Sequence, residues 1–279
     1  ALTQLMNSFL TPMTRVIQDH EGFIDKYIGD CIMAFWNAPI DVPSHAQKAI
    51  LAAFDMRAEL KRINAMLKET AEKEDRAEVE LRVGIDRIHH PVRPFAPYLH
   101  RLAVAPRRQD REGFIDKYIG DCIMAFWDAP IDVPSHAQKA ILGAFDMRAE
   151  LKRINAMHKE TAEKEDRAEV ELRVGIGLNS GICCVGNMGS EQRLEYSVLG
   201  DTVNIASRLE ALSPAYGVDL VIGEETASGA AEFALLELDR VRVKGKVLPI
   251  RIYTGLGDRT VAATPEFQQL HDAQSRLLA

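Results

Sequence analysis

Apolar side chains at Leu2, Leu5, Met6, Phe9, Met13, Val16 and Ile17 recur at helical spacing and predict helix near the start of the chain. Thr11-Pro12 interrupts the pattern. With Thr11 as a cap and Pro12 at a first helical position, two short helices are expected. The period then changes. Phe23–Ile28 and Cys31–Trp36 are apolar-rich runs on either side of Gly29-Asp30, the pattern of a tight β-hairpin with Asp30 at its tip. Ser44-His45-Ala46-Gln47 fits a capping box and predicts a following helix that buries Ala49, Ala53, Met56, Leu60, Ile63 and Leu67. The charged run Lys68–Arg76 reads as a solvated helix end or loop, and Val79–Ile85 as a strand.

The whole pattern then returns. Residues 21–85 recur at 112–176, identical at 62 of 65 positions; the exceptions are Asn37/Asp128, Ala52/Gly143 and Leu67/His158. Repeats of a solenoid diverge and come in larger numbers, so this one points instead to a recent duplication or a gene-assembly error. Between the copies, residues 86–111 hold four prolines, three histidines, six arginines and no glycine, without helical or strand periodicity, and predict an irregular linker. In the second copy the strand is expected to continue into a turn at Gly177–Gly181 and to pair with Ile182–Val185. Arg193–Leu199 then leads to a helix capped by Asp201, with Asn204 and Arg208 four apart on one face. Val218–Ile222, Leu235–Val243 and Pro249–Tyr253 read as strands, and Thr264-Pro265-Glu266 opens a terminal helix. Hairpins mixed with helices make an α+β protein.

Composition narrows the function. Of 279 residues, 188 remain when one copy and the linker are set aside, the size of one ordinary domain. Hydrophobic content of 47% with 27% charged residues is that of a globular chain and excludes wholesale disorder. No apolar run approaches the roughly 18–20 residues that span a bilayer. A net charge of −7 argues against nucleic acid as a partner. Cys31, Cys122, Cys183 and Cys184 lack the spacing of a zinc site or disulfide framework, which suits a reduced cytoplasmic setting.

Three polar clusters stand out: Lys26 and Asp30 with their copies Lys117 and Asp121, Asn204 with Arg208, and Lys244-Gly245-Lys246. Taken singly, each has a plain reading as an edge strand and turn, an exposed helix face, or a solvated basic turn. The glycines at 175, 177, 181, 186 and 189 do not have dinucleotide-fingerprint spacing. Taken in order, KYIGDCIMAFW, then GIGLNSGICCVGNMGSEQRLEYSVLGDTVNIASRLE, then VRVKGK resemble the class III nucleotidyl cyclase catalytic domain, in particular bacterial adenylate cyclases attached to membrane sensor modules. The resemblance covers residues 2–85 and 112–256.

The resemblance implies a ferredoxin-like α+β domain that acts as a homodimer on ATP. It makes Asp121 or Asp30 a ligand of Mg²⁺ or Mn²⁺, and Lys117 or Lys26 the reader of adenine, with Ser197 as its partner where many relatives carry aspartate or threonine. Asn204 would orient the ribose, Arg208 would stabilise the transition state, and Lys244, helped by Arg193, would hold the terminal phosphates. Lys117 and Ser197 disfavour guanine, for which relatives use glutamate at the lysine position. An upstream sensor and membrane attachment belong to the expected full-length parent.

The sequence also departs from the family. No motif like F-x-D-I-x-G-F, which carries a second metal-binding aspartate on the first strand, occurs in it, so the fold is expected to lack that strand and turnover to be severely reduced. A non-catalytic nucleotide-binding or dimer-partner module is the alternative. The expected organisation is a partial domain at 1–85, the linker at 86–111, the main catalytic domain at 112–258 and a C-terminal tail helix at 259–279. Two nearly identical units compete for one place in the core; the second is expected to take it because it closes fewer long loops. The other arrangement considered is an intramolecular pseudo-dimer in which Asp30 faces Lys117, Ser197, Asn204 and Arg208.

Overall fold

The computed structural model describes residues 2–74, 110–119, 121–168, 171–243 and 248–278. The expected strand Val79–Ile85 and almost all of the linker lie outside them. The chain forms two compact units, one of residues 1–91 with 184–199, the other of residues 92–183 with 200–279. The protein is α+β, and neither unit follows the repeat boundaries.

In the first unit, α1 (Leu2–Asp19) is a single helix with Pro12 inside it, not the two helices expected. A proline within a helix costs about 3 kcal/mol through its missing N–H and its ring clash. Burial of Met6, Phe9, Leu10, Met13 and Ile17, one stripe running past Pro12, outweighs that at about 1.5–3 kcal/mol per side chain. The stripe covers the hairpin β1 (Phe23–Ile28) and β2 (Cys31–Phe35), with Ile24, Tyr27 and Ile63 in the same cluster. Gly29 takes φ +61° in the turn, a conformation that suits a residue without Cβ. Helix α2 (His45–Lys73) starts at Ser44 as expected, but Ser44 is itself left-handed and its side chain caps nothing. Its buried residues are Ala52, Ile63 and Ala71; of the expected stripe, Met56, Leu60 and Leu67 pack only partly against the cluster. A second hairpin completes this unit.

The second unit repeats the hairpin as β3 (Phe114–Ile119) and β4 (Cys122–Phe126), and the helix as α3 (His136–Lys164). Between these and the rest of the unit, residues 171–175 form no strand. The Asn155 side chain donates to the Leu172 carbonyl and accepts from its N–H, both at 2.9 Å, and so takes up backbone groups a ladder would have used. Strand β5 (Ile176–Leu178) follows. The hairpin completing the first unit is β6 (Cys184–Ser190) with β7 (Arg193–Leu199), antiparallel and in unbroken register. The expected pairing of Ile182–Val185 with the preceding strand is therefore corrected: β5 pairs parallel with β8 (Leu220–Gly223) instead.

Helix α4 (Asp201–Glu210) begins one residue earlier than a cap at Asp201 would allow, with Gly200 as N-cap, and α5 (Ser213–Tyr216) and α6 (Glu224–Ser228) flank β8. β9 (Ala234–Val241) and β10 (Ile250–Gly257) complete a sheet of order β5-β8-β10-β9. Helices α7 (Arg259–Ala262) and α8 (Pro265–Leu278) close the chain, the latter opened by Thr264, whose hydroxyl accepts from the Phe267 N–H. Strand alternation divides the core. Leu220 and Ile222 join Ile141 and Ala144 of α3 on one face of the sheet; Val221 and Ile252 join Ile205 and Leu209 of α4 on the other. Among the described residues no helix is long and apolar enough to cross a membrane.

Candidate active site

The two units divide the expected site residues. The first holds Lys26, Asp30, Arg193 and Ser197; the second holds Lys117, Asp121, Asn204 and Arg208. Lys244, in the basic turn Lys244-Gly245-Lys246, lies outside the described residues.

In the second unit the carrier is α4. Gly177 on β5 brings it close, since a Cβ there would come within 2.0 Å of the Ala206 carbonyl oxygen. No other residue type fits under that helix. Its N-terminus is tied down by Asn179, whose amide donates to the Thr202 carbonyl at 3.1 Å, and by the Thr202 hydroxyl, which donates to the Ile182 carbonyl at 3.2 Å. These bonds set the rotation of α4, which leaves Asn204 exposed and Arg208 partly buried a turn later.

Asp121 stands at the tip of the β3–β4 hairpin and is felt by α4. The Glu210 carboxyl is pushed above its ordinary value, first by lost hydration and then by the charge of Asp121. Two carboxylates that repel each other are hard oxygen donors, the chemistry that suits Mg²⁺ or Mn²⁺. Among the described residues no group of three or more His, Cys, Asp or Glu side chains gathers for a metal ion. Glu210 was missed in the sequence, although it lies two residues after Arg208 and its acidity was visible.

Lys117 owes its direction to a bulge. The β3–β4 register shifts between Ile115 and Lys117, so Asp116 is the extra residue. In a regular strand neighbouring side chains point to opposite faces; here Lys117 Nζ lies 3.5 Å from Asp116 Oδ1, with both side chains almost wholly buried. The same shift between Ile24 and Lys26 in the first hairpin brings Lys26 Nζ to 3.2 Å from Asp25. Period-two reasoning has no means of finding this pairing.

In the first unit, Ser197 is buried on β7 opposite Gly186. Arg193, at the start of β7, donates to the Ile24 carbonyl at 3.3 Å and pairs with Glu195 at 3.0 Å. It lines a cleft of about 370 Å³ together with Thr14, Gln18, Tyr27 and Ser190. The buried Tyr27 hydroxyl lies 2.8 Å from the Thr14 hydroxyl and donates to Ser190 at 3.0 Å, a polar chain also missed in the sequence.

The model of the adenylate and guanylate cyclase catalytic domain matches residues 115–256. An adenylate cyclase of Anabaena cylindrica is 39% identical over 146 residues, covering 50% of this chain and 28% of the relative. Adenylate cyclase 1 of Rhizobium meliloti is 29% identical over 147 residues, covering 52% of this chain and 21% of the relative. The chain thus spans about a quarter of the length of these curated relatives. Among solved structures, the adenylyl cyclase CyaB from P. aeruginosa superposes with a TM-score of 0.51 at 28% identity, covering 59% of this chain and 81% of that one. With its family model matched across more than half its length, the chain belongs to the adenylate and guanylate cyclase catalytic domain family.

Proposed function

We propose that the chain is an adenylate cyclase domain, converting ATP to 3′,5′-cyclic AMP and pyrophosphate, with residues 112–258 as its main catalytic part. The observation that carries this reading is that, within one unit, the charge of Asp121 at the hairpin tip acts on Glu210 of the helix that bears Asn204 and Arg208. Adenine rather than guanine is supported by lysine at positions 26 and 117, which can donate to adenine N1, an acceptor where guanine carries a proton. The curated relatives named above support the same substrate.

In the reaction the ribose 3′-oxygen bonds to the α-phosphorus, the bond from that phosphorus to the leaving pyrophosphate breaks, and the hydroxyl proton passes to solvent water. Asn204 holds the ribose in line. Arg208, always protonated and able to fork onto two phosphoryl oxygens, meets the charge that builds at the α-phosphate. Such a fixed donor lowers the barrier by about 3–4 kcal/mol. Lys117 and Ser197 read the base, Lys26 does so in the first copy, and Lys244 with Arg193 holds the terminal phosphates. Mg²⁺ or Mn²⁺ on Asp121, or on Asp30, would supply the charge that neutralises the triphosphate. The domain works as a homodimer in signalling, under a sensor in its full-length parent.

A second reading has its own support. No F-x-D-I-x-G-F motif occurs in this sequence, and one aspartate holds two divalent ions poorly, so the chain as it stands turns over slowly or only binds nucleotide. Incubation with Mn²⁺ and either ATP or GTP separates these readings. Weak cyclic AMP formation with little cyclic GMP is expected. Mn²⁺-dependent ATP binding without product makes the chain a binding module, robust turnover overturns the impairment, and cyclic GMP in excess overturns the adenine assignment.

A further inference from the structure

Helix α3 is seated on its sheet by four residues spaced along one stripe. Ala137 lies against Gly229, where a Cβ would come within 2.8 Å of it. Ile141 is wholly buried, and the Phe145 ring rests on Gly255, where a Cβ would approach to 3.0 Å. Arg148 donates through Nε to Asp219 at 2.7 Å and through a terminal nitrogen to the Gly255 carbonyl at 2.6 Å. The two glycines are therefore the sockets of a seat cut for this stripe, with Asp219 as its charged latch.

Helix α2 carries the identical stripe: Ala46, Ile50, Phe54 and Arg57. There it faces water. All four residues are exposed, Ile50 by 57% and Phe54 by 61%, because α1 packs on a different side of α2 around Ile63. One chain thus holds two helices cut for the seat and one sheet to receive them.

We propose that the exposed stripe of α2 docks on the sheet of a second copy of this chain, in the seat that copy's own α3 occupies, giving a helix-exchanged dimer. Shape is matched because the contacting side chains are the same, and charge is matched because Arg57 meets Asp219. Exchange replaces each contact with its twin, the circumstance in which swapping an element between copies costs little. The copies differ within the helix at Ala52/Gly143 and at Leu67/His158, both outside the stripe, and the glycine in α3 makes the resident helix the poorer helix former. None of the four stripe residues belongs to the proposed nucleotide site, so the inference stands or falls apart from it.

The test empties the seat. In Ile141→Asp the resident helix carries a charge into the sheet, while α2 is untouched. Sedimentation equilibrium should then show self-association tighter than that of the parent chain by about tenfold or more, with amides of β8 and β10 protected from hydrogen exchange in the associated form. Adding Ile50→Asp should abolish both the gain and the protection. The proposal is overturned if Ile141→Asp associates no more tightly than the parent, whether its sheet amides stay protected or not. It is equally overturned if the double variant associates as strongly as the single one, which would mark non-specific aggregation.

Discussion

Two stretches of nearly the same sequence lie in two surroundings, and they agree in everything local while differing in what they bury. In both copies the tryptophan indole donates to the carbonyl just before the repeat, Trp36 to His20 at 2.9 Å and Trp127 to Arg111 at 2.7 Å. In both, the residue after it accepts the N–H of a valine five positions on, Asn37 from Val42 and Asp128 from Val133. Both hairpins bulge at the same aspartate. Burial then parts company. The first copy hides Tyr27 under α1 and exposes Ile50; the second exposes Tyr118 by 36% and hides Ile141 under the sheet. Each copy has found cover for one half of itself. The lesson is that a hairpin–helix unit is locally specified, whereas its hydrophobic faces are an offer that different neighbours accept.

Substitutions at twin positions break or sharpen this contrast. The largest difference is expected at the helix stripe. Ile141→Ala should cost about 2–5 kcal/mol in urea unfolding of the dilute chain, and Ile50→Ala no more than about 0.5 kcal/mol. Equal costs would mean that both stripes are buried in solution. At the hairpins the order reverses. Tyr27→Phe leaves the buried Thr14 and Ser190 hydroxyls short of a partner and should cost about 1–3 kcal/mol, more than Tyr118→Phe, because water competes for any bond of the exposed Tyr118 hydroxyl.

The hairpin tips are next. Asp121→Asn should weaken Mn²⁺-dependent ATP binding about tenfold, roughly 1.4 kcal/mol, and Asp30→Asn should do less. Titration with a fluorescent ATP analogue measures both, and equal losses would give the two copies equal shares in the site. The smallest effect is a pH dependence. Glu210 has a raised value in the folded state, so the stability it contributes is full below its ordinary 4.5 and is lost as pH rises through the raised value. Glu210→Gln should flatten the stability profile in that window. Relieving the charge of its neighbour by Asp121→Asn should narrow the window, since Asp121 is the second cause of the shift.

Much of the fold was legible. The hairpin at Phe23–Ile28 and Cys31–Phe35 and the helix after Ser44 were readable because their signals are local: a period of two, a glycine-containing turn, then a period near four. Helix α4 and the opening of α8 at Thr264 were readable for the same reason. The continuous α1 was not, because the burial that overrides Pro12 comes from partners distant in sequence. Nor was the β6–β7 hairpin, whose glycines and polar residues suppress the strand pattern, nor the parallel pairing of β5 with β8 more than 40 residues away. Of the candidate site, the residue types and their order were readable. The bulge that sets Lys117 beside Asp116 and the approach of Asp121 to Glu210 were not, since both depend on backbone geometry that no residue announces by itself.

Residue order alone determined that this chain makes hairpins and helices, that it repeats one such unit, and that it resembles the nucleotidyl cyclase family to which it belongs. Short-range hydrogen bonds and side-chain periodicity suffice for that, because they act within a few residues. The tertiary structure alone decided which of two equal hairpins buries its tyrosine, whereas the second helix was expected on the sheet because that copy closes fewer long loops. The reason is physical. Burial depends on area shared with a neighbour, and when two segments offer the same area to a single partner, their own residues cannot break the tie.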